Sequence, residues 1–223
     1  MIQLMVVPNA SNRKVGQGCG TTYRKVGDAS KGKGTCPPGC KHLQEGDCYA
    51  IQGIFTRMAQ TRAESRYDDI TKFDKNKKDD IRFLVGGDSF IHMPDHWRGW
   101  GLDVPYIRMI TGYAHANPHR RFWMYCHDIR VFVADMPEDI VWPSNIEVIA
   151  SCDTHEDRAW AQAHGFRTAR VIDSPEEKAD GEVFCPYDRA LWHGKNHDQI
   201  KVRCETCRLC FNDGPQDIAF LKH

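Results

Sequence analysis

The sequence predicts an α/β fold: a mostly parallel sheet, open or bent into a partial (β/α) barrel, with a Cys-rich N-terminal loop and a Cys-rich C-terminal extension. Three observations predict it. From residue 81 onward, short apolar runs alternate with helix-spaced apolar patterns, as βα units do. The run ends carry Gly, Asp and Cys: Gly86-Gly87-Asp88, Cys126-His127-Asp128, Cys152-Asp153, Asp173 and Cys185. Most of the ten cysteines fall in two groups that flank the alternating block.

The elements follow in order. "IQLMVV" (2–7) reads as a strand. Residues 8–47 are rich in Gly, Lys, Arg, Thr and Ser, so a long loop is expected, and a loop that long is usually functional or tied down by something. In "CYAIQGIFTRMAQTRAES", Tyr49, Ile51, Ile54, Phe55 and Met58 keep helical spacing. A polar, highly charged stretch covers 64–80. "IRFLVGGD" (81–88) is a strand. "VPYIRMITGYAHANP" (104–118) is a helix stopped at Asn117-Pro118. "RFWMYCHD" (121–128) and "NIEVIASCD" (145–153) are strands. "HEDRAWAQAHGF" (155–166) is a helix with acidic residues in its first turn and Gly165 at its end. "TARVID" (168–173) and "GEVFC" (181–185) complete the strands. One domain over 1–223 is expected, in three parts: 1–80, 81–184 and 185–223.

Lys+Arg and Asp+Glu both number 30, so the formal net charge is zero, and the pI is near 7.1. No global pull toward nucleic acid or membrane follows. The start, "MIQLMVVPNA", lacks the basic region and cleavage site of a signal peptide. No apolar run approaches the ~18 residues that span a bilayer. The expectation is a soluble, cytoplasmic protein with no membrane partner. No phosphate-cradling P-loop, nucleophile elbow or H-E-x-x-H helix is present.

In a reducing cytosol, cysteines serve more often as metal ligands or redox groups than as disulfides. Cys204, Cys207 and Cys210 stand at i, i+3 and i+6 in "RCETCRLCF". Three thiolates so spaced wrap three corners of an iron–sulfur cube, and Cys185, followed by a proline, supplies the fourth. The order is reversed from the familiar one, with Cys-Pro before the run. Zinc held by the same four is the alternative. His193 and His197 are further candidate ligands. At the other end, Cys36, Cys40 and Cys48 form C-x3-C-x7-C with no obvious fourth. Three thiolates leave one iron of a 4Fe–4S cluster open to a small-molecule ligand, as catalytic metal sites keep a position free. A closed site completed by Cys19, His42, Cys126 or Cys152 is the alternative.

This three-cysteine loop leading into a first helix, followed by a strand ending in "GGD", resembles the radical S-adenosylmethionine superfamily. The resemblance implies a 4Fe–4S cluster on Cys36, Cys40 and Cys48. It also implies S-adenosylmethionine on the open iron, with Gly86, Gly87 and Asp88 contacting its amine. The last gap, seven residues here, is longer than the superfamily's two. The chain also resembles a family of small cysteine-rich proteins encoded by bacteriophages. "SNRKVG", "TTYR", "TCPPGC", "CYA", "GGDSF", "FWMYC", "NIEVIASCD", "FCPYD" and "VRCETCRLCF" carry that likeness, in order, over nearly the whole chain. It implies the cytoplasm of an infected bacterial host, and other residues at Cys126 and Cys152 in similar chains.

Two functions are therefore expected as rivals. In the first, the chain is a phage-type iron–sulfur protein, a radical S-adenosylmethionine-like redox enzyme with one open cluster and a second four-cysteine cluster. Asp88 and Asp153 are then polar residues in the catalytic pocket, and the partners are a small-molecule ligand and an electron donor. In the second, zinc fills both sites of a nucleic-acid- or protein-binding module. Its contact surface is the loop 10–46, with seven Lys or Arg against two acids, Lys14, Arg24 and Lys25 among them. The loop "HMPDHWRGWG" (92–101) reads either as a lid over the pocket or as an aromatic plug.

Overall fold

The fold is seen in a computed structural model that describes residues 2–12, 14–52, 54–76, 78–211 and 216–222. The side chains at 11, 12, 17, 54 and 55 are not described; Ile54 and Phe55 of the expected helix lie outside the described side chains, and Arg13 of the basic loop outside the described residues.

Eight strands form one sheet. They are β1 (Met5–Val7), β2 (Gly20–Tyr23), β3 (Asp80–Gly86), β4 (Arg121–Cys126), β5 (Ile146–Ser151), β6 (Arg167–Ile172), β7 (Glu182–Phe184) and β8 (Asp217–Leu221). Their order is β1-β2-β3-β4-β5-β6-β8-β7. Only β1 runs antiparallel to its neighbour. The predicted α/β class with a mostly parallel sheet is therefore found, and of its two expected shapes the open sheet is realised.

The helices are α1 (Lys41–Glu45), α2 (Tyr49–Gln52), α3 (Ile54–Glu64), α4 (Val104–Ala116), α5 (Ile129–Ala134), α6 (His155–Ala163), α7 (Pro186–Trp192) and α8 (Cys204–Cys207). Local chemistry sets the main ones. Asp103 caps α4 by accepting from Tyr106 N at 3.1 Å, and a proline stands in its first turn. Thr154 caps α6, with Glu156 and Asp157 in the first turn facing the positive end of the helix dipole.

Strands β2 to β6 advance across the sheet in sequence order. Right-handed crossovers in one direction put the connecting helices on one face. The core shows this: Ile107 and Ile110 of α4, Val131 and Phe132 of α5 and Ala161 of α6 pack with Phe122, Met124, Ile146, Val148 and Ala150. The intervening strand residues point the other way. Trp123 and Ile149 pack with Cys185, Tyr187, Ile200, Cys210 and Phe211. The opposite face is thus covered by the C-terminal cysteine segment, anchored by Trp123 stacked on Phe211 at 4.3 Å.

Several expectations need correction. The long loop 8–47 contains β2, a small hairpin of Ser11–Asn12 with Gly16–Gln17, a 3-10 turn at Ala29–Lys31, and α1. These pieces are short and polar, and β3, one partner of β2, is remote in sequence, so periodicity does not reveal them. The segment after Cys185 is not only an extension. Its β8 inserts between β6 and β7, where Asp217 accepts from Thr168 N at 2.7 Å and from Arg158 at 3.0 Å. The stretch 92–101 contributes half a hairpin, Phe90–His92 with Trp100–Leu102. Its Trp100 is buried against Phe90 while Trp97 stands 84% exposed. The plug and the exposed aromatic are therefore separate residues.

Candidate metal centres

At the carboxyl edge of the sheet, β3 ends in Gly86, followed by Gly87 and Asp88. The β2–β3 register slips near Thr21/Tyr23, and Leu84 adopts φ 56°, which re-aims the strand end. Gly87 takes φ 80°, and a Cβ there would stand 2.6 Å from Thr35 Oγ1 and 2.7 Å from the Arg24 carbonyl. Glycine is required by this close approach. Thr35 is the stitch. Its hydroxyl accepts from Asp88 N at 2.9 Å and donates to the Lys25 carbonyl, and its own carbonyl accepts from Phe90 N. Cys36, the next residue, is held by N–H to the Gly27 carbonyl at 2.9 Å. The first cysteine is thereby fixed beside the "GGD" end.

Asp88 is fully buried. Its Oδ2 accepts from both the backbone N and Nδ1 of His127, and its Oδ1 from Ser89 N. Arg24, also buried, donates to the Asp88 carbonyl at 3.1 Å and to Asp103 at 2.5 Å, under the Tyr106 ring. Asp153, at the end of β5, is exposed; its Oδ2 accepts from Lys41 N at 3.3 Å and so caps the short helix that begins after Cys40. Gly86 faces Gln60 and Ala50.

Cys40 and Cys48 lie close enough to add to the ionisation cost of Cys36, and Cys48 to that of Cys40. Burial is the main cause that pushes the Cys36 thiol up, followed by the Asp88 carboxylate. Cys40 is pushed up to about 11 by burial, then by Asp88 and Asp153 against a backbone N–H from Leu43. Burial also raises Cys48. For His127, burial lowers and the Asp88 bond and charge raise, with a net rise. The three thiols thus share one edge with the Asp88 and Asp153 carboxylates and the His127 imidazole, and Asp47 adds its charge at Cys48.

The four C-terminal cysteines line one narrow cleft, with Pro186, Tyr187, Val202, Arg203 and Leu209. Burial pushes Cys185 up to about 11 and Cys204 up to about 12, and raises Cys210. Two cations face the cleft. Lys14 pairs with Asp188 at 2.7 Å and feels Cys185 and Cys204. Arg82 feels Cys204 and Cys210. The Lys14 carbonyl accepts from Cys204 N at 3.0 Å. Thiols raised this far by burial are inert as free nucleophiles, whereas metal coordination deprotonates a thiol outright.

The structure therefore gathers the predicted Cys36, Cys40, Cys48, Gly86, Gly87, Asp88 and Asp153 at one edge, and Cys185, Cys204, Cys207 and Cys210 in one cleft. Of the proposed fourth ligands of the first group, Cys126 and Cys152 stand buried at the ends of β4 and β5, beside this edge, and the other two are elsewhere or occupied. Cys19 packs on the C-terminal side, Cys126 and Cys152 sit in the helix-side core, and His42 bonds Asp47 at 2.8 Å. His197 bonds the Tyr187 hydroxyl at 2.7 Å. Lys14, Arg24 and Lys25 are each paired with a carboxylate: Asp188, Asp103 and Glu64. The sequence gives no sign of the roles of Thr35 and Arg82, and it places Arg24 on a contact surface instead of in the fold's interior; His127, flanked by Cys126 and Asp128 at a strand end, is the one with a visible signal.

Among the described residues, no three His, Cys, Asp or Glu side chains are grouped as a metal ion requires. No helix among them is long and apolar enough to cross a membrane. No family model, no curated protein and no solved structure matches the chain.

Proposed function

We propose that the chain is an iron–sulfur protein with two thiolate centres. Cys185, Cys204, Cys207 and Cys210 hold one 4Fe–4S cluster, and Cys36, Cys40 and Cys48 hold a second with one iron open. The observation that carries the reading is the cleft lined by all four C-terminal cysteines and faced by Lys14 and Arg82. A single zinc needs four sulfurs at about 2.3 Å from one point. A cube takes one thiolate per corner, so its ligands line a cavity instead of meeting. The C-x-x-C-x-x-C run, with Cys185 standing before a proline, favours the second demand. Lysine and arginine beside it suit an occupant that stays anionic with four thiolates.

At the carboxyl edge the three thiols, Asp88 and Asp153 concentrate negative charge that a multivalent cation relieves. Three thiols in the N-terminal group, one fewer than a closed site uses, support an open coordination position for a small-molecule ligand. S-adenosylmethionine is the ligand that the resemblance of the Cys loop and "GGD" implies, and a bacteriophage origin rests on the same footing. When bound, such clusters supply one-electron chemistry, which calls for an external electron donor. The chain's own residues position the site: Thr35 ties Cys36 to Asp88, Asp88 holds His127, and Asp153 caps the helix after Cys40. The rival zinc-stabilised nucleic-acid module has less support, because Lys14, Arg24 and Lys25 are engaged within the fold.

Iron, acid-labile sulfide and zinc measured on anaerobically prepared chain, beside C36S/C40S and C204S/C207S variants, test the reading. Each double variant should lose about half of the iron and sulfide. Iron that is unchanged in both variants would reject the ligand assignment.

A further inference from the structure

Lys14 touches both arms of the C-terminal centre. It lies with Val15 in the turn of the small N-terminal hairpin, far in sequence from all four cysteines. Its carbonyl accepts from Cys204 N at 3.0 Å. Its ammonium donates to both oxygens of the buried Asp188, at 2.8 and 2.7 Å. Asp188 stands in the first turn of α7, whose N-cap is Cys185. The ammonium also lies 4.5 Å from the centre of the Phe220 ring on β8. Val15, fully buried, packs in the cluster that holds Cys185, Tyr187 and Cys210. Gly16 is pressed against α8: a Cβ there would stand 2.7 Å from Glu205 Cδ.

The cysteines of this centre are anchored in different ways. Cys185 follows β7, and its N–H donates to the Ala219 carbonyl of β8 at 2.8 Å. Cys210 is carried to the sheet by the adjoining Phe211 on Trp123, and by Arg167, which donates to the Leu209 carbonyl at 2.8 Å. Glu205 and Arg208 are tied near the start of β3, by Lys78 at 3.4 Å and Asp80 at 3.1 Å. Cys204, which opens α8, gives its N–H to the hairpin, and the hairpin holds α7 through Lys14.

We propose that Lys14 is a positioning residue of the C-terminal centre: its ion pair with Asp188 fixes its own carbonyl beside α7, and that carbonyl holds Cys204 in the cleft that Cys185 lines. This rests on the metal-binding reading above. A ligand already held in place loses less freedom when it binds, so the clasp raises affinity without touching the metal. Removing the ammonium frees the hairpin turn, and Cys204 with it. Cys185 stays on its strand bond and Cys210 on Phe211.

The test uses the full chain with the C36S/C40S change, which silences the N-terminal centre. The chain is stripped of metal by a chelator under anaerobic reducing conditions and titrated with Co²⁺, whose thiolate complexes absorb visibly. K14M should weaken Co²⁺ binding about tenfold, as loss of a residue that orients a metal ligand does. K14R, which keeps the charge for Asp188, should recover most of the affinity. With C204S also present, K14M should cost less than about twofold, because the ligand it positions is gone. With C210S present instead, K14M should still cost about tenfold. Equal K14M losses in the C204S and C210S backgrounds mark a general loosening of the fold and overturn the proposal, as does a K14M chain that binds like its parent. Where K14M does not fold, D188N carries the same test from the other half of the pair. A C36S/C40S chain with no cobalt–thiolate absorption rejects the metal-binding reading of this centre itself. A C36S/C40S chain that binds Co²⁺ without the C204-dependent difference keeps that reading and rejects only the clasp.

Discussion

Asp88 and His127 are joined twice: one carboxylate oxygen, Oδ2, accepts from both the backbone N and Nδ1 of His127, each at 3.0 Å. The carboxylate is fully buried and the imidazole partly exposed. The pair pins the end of β4 to the end of β3 at the edge where the N-terminal cysteines gather.

Breaking this pair has a pH signature. His127 titrates above its ordinary value, because the Asp88 bond and charge outweigh the burial that lowers it. A group raised on folding contributes stability that is full below its unfolded value, about 6.5, and lost as pH rises through the folded value. The stability gap between the parent chain and H127Q, stripped of metal, should therefore be widest near about pH 6 and narrow in alkaline solution. Urea unfolding at a series of pH values checks it; a gap that widens with pH would contradict the pairing.

Glu182 works with the opposite sign. Burial raises it, but bonds from Arg170 at 2.6 and 2.9 Å and from Ala179 N leave it below the usual carboxylate range. Its contribution is present above the unfolded value of about 4.3 and disappears as pH falls through the folded one. E182A, which leaves Arg170 buried without its carboxylate, should cost about 3–5 kcal/mol at neutral pH. E182Q should remove the part of the acid-induced loss that is due to this group. Thermal unfolding between acid and neutral pH measures both.

Gly87 and Gly46 separate packing from backbone strain. Both have positive φ, 80° and 71°, but a Cβ at Gly46 meets nothing within 4 Å while one at Gly87 meets Thr35 and Arg24. G46A should cost about 1 kcal/mol from conformation alone. G87A should cost more, and it should lower metal content at the N-terminal centre by displacing Thr35 and Cys36. Equal effects of the two substitutions would show that the contact with Thr35 is slack.

Phe211 clamps the C-terminal segment onto Trp123. F211A should destabilise the chain by about 3–5 kcal/mol, as large-to-small changes of aromatic core residues do. Metal should be lost from the Cys210 side and spared at Cys36, Cys40 and Cys48, as read by metal analysis combined with the C36S/C40S change.

Much of the sheet was legible because β3, β4 and β5 are largely apolar runs long enough to declare themselves, and their ends carry the residues that meet at the edge. The convergence of Asp88, His127 and Asp153 follows from parallel strands sharing one carboxyl side. β2 and β8 were hidden for a physical reason: each is short, and each is a strand only because it pairs with partners distant in sequence, Gly20 with Ile81 and Ile218 with Ala169. Arg82 escaped notice because a lone cation in an apolar run gives no sign of which centre it will face. Lys14 and Arg24 read in the sequence as part of a basic contact surface; their partners, Asp188 and Asp103, lie 174 and 79 residues away.

Mössbauer spectroscopy of the anaerobically prepared chain, with its iron and zinc content, tests the central claim most directly. The account predicts thiolate-bound 4Fe–4S clusters, with about four iron atoms for each filled centre. Colourless protein that carries stoichiometric zinc and no iron–sulfur signal would contradict it.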